Sequence, residues 1–118
     1  MLLEKIKLSS SSESLVPGDV VCSDYDGFAK KISNQIDTFK VIGICSKVEK
    51  ENDSTYISIA TNGIIEVNTL DDTLDSGDFV VAEVDSTVKC KTASEEDIDI
   101  IGMVMKKPEN GKVLIKLK

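Results

Sequence analysis

The sequence predicts an all-β protein, an internally duplicated small β-barrel or β-sandwich with about five short strands in each 59-residue repeat. Three observations predict it. Apolar residues alternate or run in short Val- and Ile-rich blocks, the period of half-buried strands. Turn residues separate those blocks: Pro17-Gly18-Asp19, Asp26-Gly27, Asn62-Gly63, Ser76-Gly77-Asp78 and Asn110-Gly111. And the chain repeats itself. Sliding it by 59 residues, half of 118, places Gly18-Asp19-Val20-Val21 on Gly77-Asp78-Phe79-Val80 and Val41-Ile42-Gly43-Ile44 on Ile100-Ile101-Gly102-Met103.

Residues 18–47 align with 77–106 without a gap, and eight of the 30 positions are identical: Gly18, Asp19, Val21, Asp26, Lys30, Ile42, Gly43 and Lys47 with their partners. Unrelated stretches of ordinary composition would share roughly two. What recurs is turn chemistry and apolar spacing, and no catalytic residue recurs. A repeat of this kind points to scaffolding or binding before chemistry.

The strands follow in order. The first half places them near 3–8, 19–23, 28–32, 39–48 and 55–60, and the second near 64–69, 78–82, 87–91, 98–106 and 112–118. Lys5-Ile6-Lys7-Leu8 and Ile65-Glu66-Val67 alternate and align under the 59-residue shift. Lys112 to Leu117 alternates with Val113, Ile115 and Leu117 on one face. Asn-Gly and Asp-Gly suit tight hairpins, because both central residues take positive φ. Gly43 and Gly102 interrupt apolar runs, which predicts a bulge, a bend or a close backbone approach. The only stretch with helical character is one turn over Ala93 to Asp97. Ser9 to Ser12 reads as a surface loop, with the polar Asn68–Asp71 as its counterpart. The repeats are 1–59 and 60–118, and Asn62-Gly63 turns one directly into the next. That predicts one domain with a fused core and halves related by a pseudo-twofold.

Composition bounds the function. Net charge is -7, which disfavours a nucleic-acid footprint and adsorption to an anionic membrane. Met1-Leu2-Leu3 runs straight into Glu4 and no apolar stretch approaches the length of a membrane span, so neither a signal peptide nor an anchor is expected. Three cysteines without a C-x-x-C pair fit a reducing compartment, and synthesis in a cytoplasm is the expectation.

Cys22 aligns with Val81 and Cys45 with Val104, so both are expected in the core as small hydrophobes. Cys90 aligns with Lys31 and lies between Lys89 and Lys91, which predicts an exposed thiol with a lowered pKa. The chain has no histidine, which excludes Cys-His and Ser-His-Asp arrangements and histidine-ligated zinc. Carboxylates cluster at Asp71-Asp72, Asp75, Asp78 and Glu95-Glu96-Asp97-Asp99, but an EF-hand loop starting at Asp72 fails at Leu74; solvated loops are the expectation and no metal is assigned. Five aromatics (Tyr25, Phe28, Phe39, Tyr56, Phe79) make a poor sugar-stacking surface. Met105-Lys106-Lys107 lacks the hairpin-tip position of a lipoyl lysine, since the tip falls at Pro108–Gly111. Asp19 and Asp78 follow glycines, and their side chains are expected to hold nearby backbone N–H groups. Gly18, Asp19, Gly43, Gly77, Asp78 and Gly102 are thus structural turn and bend positions, with no catalytic, cofactor or metal residue assigned.

The order of signals, "PGDVV…DGFAKKI…VIGICSKV…ISIATNGIIEV" and then "SGDFVVAE…VKCKTASEEDIDIIGMVMK…GKVLIKL", resembles small β-rich structural modules of tailed bacteriophages. These are head-decoration and head-fibre proteins and the β-domains of tail fibres. In them a Gly-Asp strand start precedes a G-x-A segment, an [IV]-[IV]-G-[IV] strand and an x-x-G turn. Lys91 to Asp97 followed by Ile101-Gly102 is especially similar to the C-terminal modules of tail fibres and spikes. The resemblance covers most of 15–117. It implies a non-enzymatic virion protein that self-associates, with a trimer favoured, and docks on a capsid or fibre protein. A stand-alone β-barrel binding a small molecule or carbohydrate is the alternative.

Overall fold

A computed structural model describes residues 3–9, 14–24 and 26–118. Met1, Leu2, Tyr25 and Ser10–Ser12 of the serine run lie outside the described residues. The fold is all-β. The first half supplies β1 (Leu3–Lys7), β2 (Val20–Ser23), β3 (Ala29–Lys31), β4 (Val41–Glu51) and β5 (Ser54–Ala60), and the second supplies β6 (Ile64–Asn68), β7 (Phe79–Glu83), β8 (Thr87–Cys90), β9 (Ile100–Glu109) and β10 (Lys112–Leu117). Each half is an antiparallel five-stranded sheet, ordered β1-β5-β4-β2-β3 and β6-β10-β9-β7-β8. The two orders are the same once the strands are paired by repeat.

Neither sheet closes as a barrel. Among the described residues the edge strands of each meet through one isolated parallel bridge, Leu8 to Ala29 and Thr69 to Val88. Ser9 is buried at the first of these bridges, with its N–H donating to the Ala29 carbonyl at 2.8 Å, so it packs rather than lying on the surface.

Strand pairing shows how the duplication has drifted. Through β2, β4, β7 and β9 the shift is 59: Val21 pairs Gly43 as Val80 pairs Gly102, and Cys22 pairs Val41 as Val81 pairs Ile100. The first strands correspond at a shift of 61, since Ile6 faces Ile57 as Val67 faces Val113. The last correspond at 56, since Cys45 faces Ile59 as Val104 faces Ile115. The 59-residue alignment of Ile6 with Ile65 is therefore off by two, which preserves the strand face and so left the alternation intact. The change at β5 comes from the hairpin arm, which is three residues longer in the first half.

Both ends of β4 and of β9 moved. β4 and β9 run to Glu51 and Glu109, where tight turns reverse the chain. Asn52 takes φ 56° in the first turn, and Asn110 and Gly111 take φ 54° and 76° in the second, the positive-φ geometry of a hairpin. Upstream, residues expected to open β4 and β9 form 3-10 turns, over Ile36–Phe39 and Asp97–Asp99. These repeat as well: the Lys40 N–H donates to the Asp37 carbonyl and the Asp99 N–H to the Glu96 carbonyl, both at 3.0 Å. The turn expected over Ala93–Asp97 thus lies slightly later, where the Asp99 carboxylate accepts the Glu96 N–H at 3.1 Å.

The core follows the same logic. Leu15, Val21, Ala29, Cys45, Ile57 and Ile59 fill the first sheet. Their repeat counterparts Leu74, Val80, Val88, Val104, Val113 and Ile115 fill the second. The second cluster does not stop at its own half, because Val20, Cys22, Ile32 and Ile44 of the first join it. In β2, Val21 points into its own sheet while its neighbours Val20 and Cys22 point at the other repeat, the ordinary alternation of a strand buried on both faces.

Polar contacts fix this seam. Ser86 is fully buried. Its carbonyl accepts the Val20 N–H and its Oγ accepts the Ile32 N–H, both at 2.8 Å. The Asp85 N–H donates to the Ile32 carbonyl at 3.1 Å, and the Asn68 N–H to the Gly18 carbonyl at 2.9 Å. The first half thus offers the ends of β2 and β3, and the second offers the end of β6 and the β7–β8 turn. A pseudo-twofold would demand the reciprocal contact between Gly27 and Phe79. Instead Gly27 is exposed, with nothing within 4 Å of where its Cβ would stand, and Phe79 is 50% exposed. The halves meet through unlike surfaces, which corrects the twofold expectation.

Candidate functional site

The repeated Gly-Asp pairs make two type II turns. Gly18 and Gly77 take φ +95° and +92° at the third position, where a side chain is strained. The Asp19 and Asp78 N–H groups close the turns on the Val16 and Asp75 carbonyls at 3.1 and 3.0 Å. Their carboxylates turn back to accept the N–H of Val16 and Asp75, at 3.1 and 2.9 Å. Next the Gly18 and Gly77 N–H groups donate to the carbonyls of Cys45 and Val104, and the N–H groups of these two donate back to Asp19 and Asp78, all at 2.8 Å. The motif is an anchor between turn and central strand.

The two copies then diverge. Asp19 is buried and its second oxygen accepts Asn68 Nδ2 at 2.9 Å. The same amide reaches the Pro17 carbonyl at 3.3 Å, and Lys112 Nζ donates to its Oδ1 at 3.0 Å. A Cβ on Gly18 would stand 2.9 Å from Asn68 Oδ1, whereas one on Gly77 would meet nothing within 4 Å. The first turn is built into the seam, and the second stands in the open.

Gly43 and Gly102 mark close approaches. A Cβ on Gly102 would lie 2.7 Å from the Lys116 carbonyl oxygen. One on Gly43 would lie 2.6 Å from that of Ala60 and run into the Ile59 side chain. Each glycine sits where β2 or β7 shifts register on its central strand. This is the bulge with a crowded backbone that the interrupted apolar runs predicted.

Cys22 and Cys45 are fully buried, and burial pushes both thiols up to about 11. Cys90 departs from expectation. It is half-buried against the core, and its thiol is raised by burial first and then by Asp78, Asp71 and Glu95. The flanking lysines are engaged elsewhere: Lys89 Nζ sits 3.3 Å from Glu95 and Lys91 Nζ donates to the Thr92 carbonyl at 3.2 Å. The activated thiol read from those lysines is therefore overturned.

The acidic loops hold their own backbone. Asp71 accepts the Thr73 N–H at 3.0 Å and, at its other oxygen, the Cys90 N–H at 3.1 Å. Glu95 takes the Thr92 hydroxyl, and its N–H at 3.0 Å, and is drawn down to about 2 mainly by that residue. Among the described residues no group of three or more Cys, Asp or Glu side chains is placed to hold a metal ion, and no helix is long and apolar enough to cross a membrane.

One apolar surface is among those that the motifs did not single out. On the outer face of the second sheet, Phe79, Ile100, Gly102, Met103 and Leu117 line an open groove of about 580 Å³ with Asp97, Lys116 and Lys118 at its margin. Its repeat counterparts in the first half are seam residues: Val20 for Phe79 and Ile44 for Met103, both fully buried. The signal lay in the alignment, where a Val becomes a Phe and an Ile a Met. Alternation cannot say which outer face a neighbour covers, so that signal was unreadable without the packing. No protein-family model matches the chain, and no curated protein matches it.

Proposed function

We propose that this chain is a non-enzymatic structural protein of a phage or prophage virion, made in the bacterial cytoplasm, that decorates or stabilises a capsid or fibre through self-association and docking. One observation carries the reading most. The repeated motif residues, Gly18-Asp19 with Gly77-Asp78 and Gly43 with Gly102, all serve the backbone. What the frame leaves exposed is an apolar groove and turns, the surfaces on which small β-proteins meet partners. The resemblance of the strand-and-turn order to decoration and fibre modules supports the virion setting, and a trimer is its favoured assembly. The -7 net charge would limit unspecific adhesion before the proper partner is met.

The test is co-sedimentation of the purified chain with assembled capsids or fibres, together with its mass in solution. Saturable binding to particles supports the reading. A chain that ignores particles and binds an apolar small molecule in the Phe79 groove would favour the ligand-binding alternative.

A further inference from the structure

The internal seam is heterologous, and among the described residues the counterparts of both its surfaces are at least partly exposed in the other repeat. The face that the first half commits to the seam carries the Gly18–Asp19 turn, Val20, Ile32 and Ile44. In the second half this face returns as the Gly77–Asp78 turn, Phe79, Lys91 and Met103. There Phe79 is half-exposed and the turn glycine is open. The surface that the second half commits carries Asn68 and the Asp85-Ser86 turn. In the first half this surface returns as Lys7 and the Asp26-Gly27 turn, which are all exposed.

Three details make the two free surfaces fit each other. Ser86 takes φ +61° at the tip that enters the seam, and Gly27 takes φ +82°, so both tips carry a positive φ at the same repeat position. In the seam, Ser86 Oγ is needed to accept the Ile32 N–H. At the free face the counterpart Lys91 N–H already donates to the Phe79 carbonyl at 2.9 Å, so a glycine, which has no hydroxyl, leaves nothing unsatisfied. Finally, the seam pairs Asp19 with Asn68 at 2.9 Å. The equivalent pair between the free surfaces is Asp78 with Lys7, a carboxylate opposite an ammonium.

We propose that a second copy of this chain seats its Lys7 strand end and Asp26-Gly27 turn on the Phe79 face, so that copies join head to tail by repeating their own internal seam. The inference rests on the self-association reading above and names its surfaces. A contact between unlike surfaces closes into a ring, of which a trimer is one case, or continues as a filament.

Complementation tests it. Phe79→Glu blocks the groove end and Lys7→Glu sets a carboxylate against Asp78 at the other end. Each variant alone is expected to associate at least roughly tenfold more weakly than the parent by analytical ultracentrifugation. A 1:1 mixture is expected to form pairs, because each variant keeps the end that the other has lost, and that recovery also shows that both are folded. Wild-type association by either variant alone, or a mixture that stays monomeric, overturns the proposal. A parent chain that is monomeric yet sediments with particles overturns the head-to-tail contact and leaves the structural reading standing. A monomer that ignores particles overturns both.

Discussion

At Thr87 the buried Oγ1 has no hydrogen-bond partner among the described residues. Leaving a buried hydroxyl unpaired costs about 1–3 kcal/mol. Thr87→Val keeps the shape and removes the liability, so it is expected to leave stability unchanged or raise it, as read by thermal melting. Ser86 is the opposite case. Its hydroxyl is the acceptor for the buried Ile32 N–H, and Ser86→Ala is expected to lower unfolding free energy by roughly 1–3 kcal/mol in urea titration. The strand glycines are less forgiving still. Gly43→Val and Gly102→Val each force a side chain against a carbonyl oxygen under 3 Å away, with an expected loss of at least roughly 1–3 kcal/mol. Gly43→Val is expected to be the worse, because φ +156° adds backbone strain. Thiol labelling reads the packing directly. Cys22 and Cys45 are expected to react only on unfolding, and Cys90 in the native state but more slowly than a free thiol, since burial and three carboxylates disfavour its thiolate.

Among the elements, the 3-10 turn Ile36–Phe39 carries a pH dependence. Burial alone would raise the Asp37 carboxyl. Donation from Lys30 Nζ at 2.8 Å and from the N–H and hydroxyl of Ser33, each at 3.0 Å, outweighs it and brings the carboxyl down to about 2. Its folded value lies below its unfolded one. The stabilisation is therefore complete above the ordinary carboxylate range and is lost as pH falls through that range towards 2. It amounts to roughly 2 kcal/mol. Asp37→Asn is expected to lower stability at pH 7 and to flatten its decline between pH 5 and 2, as followed by urea midpoints. Because Phe39 and Thr38 of this turn share a pocket with Val81 of the other repeat, acid is expected to loosen the seam. The strands themselves were largely readable in advance, because alternation and turn residues are local signals. Their ends were not. Asn52 carries the chain through a tight hairpin where a loop was expected, β9 runs on to the expected Asn110-Gly111 turn, and Asp37 and Asp99 draw strand openings into 3-10 turns.

For the whole molecule, the cluster that runs from Val20 and Ile44 into Val80 and Val104 ties the halves together. A truncation such as Ile44→Ala is expected to cost roughly 2–5 kcal/mol and to shift one shared unfolding transition, with fluorescence-probed and circular-dichroism-probed curves coinciding. Two separate transitions would show that the halves hold themselves together independently. The long axis of 42 Å against 25 and 23 Å fits two units set side by side with their unlike surfaces joined.

The all-β class, the duplication, the ten strands, the Gly-Asp anchors and the buried Cys22 and Cys45 were determined by the sequence alone. Each is a local or periodic property: a side chain's face is set by alternation, and a turn by the residue that tolerates its φ. The tertiary structure alone decided how the repeats face each other, why Asp19 is buried while Asp78 is not, why Cys90 lacks an activating environment, and where the apolar groove lies. These depend on which outer face meets which edge. The same alternating pattern serves a face covered by the other repeat, like that of Val20, and one left open, like that of Phe79, because strand periodicity records that a side chain points outward and not what lies beyond it.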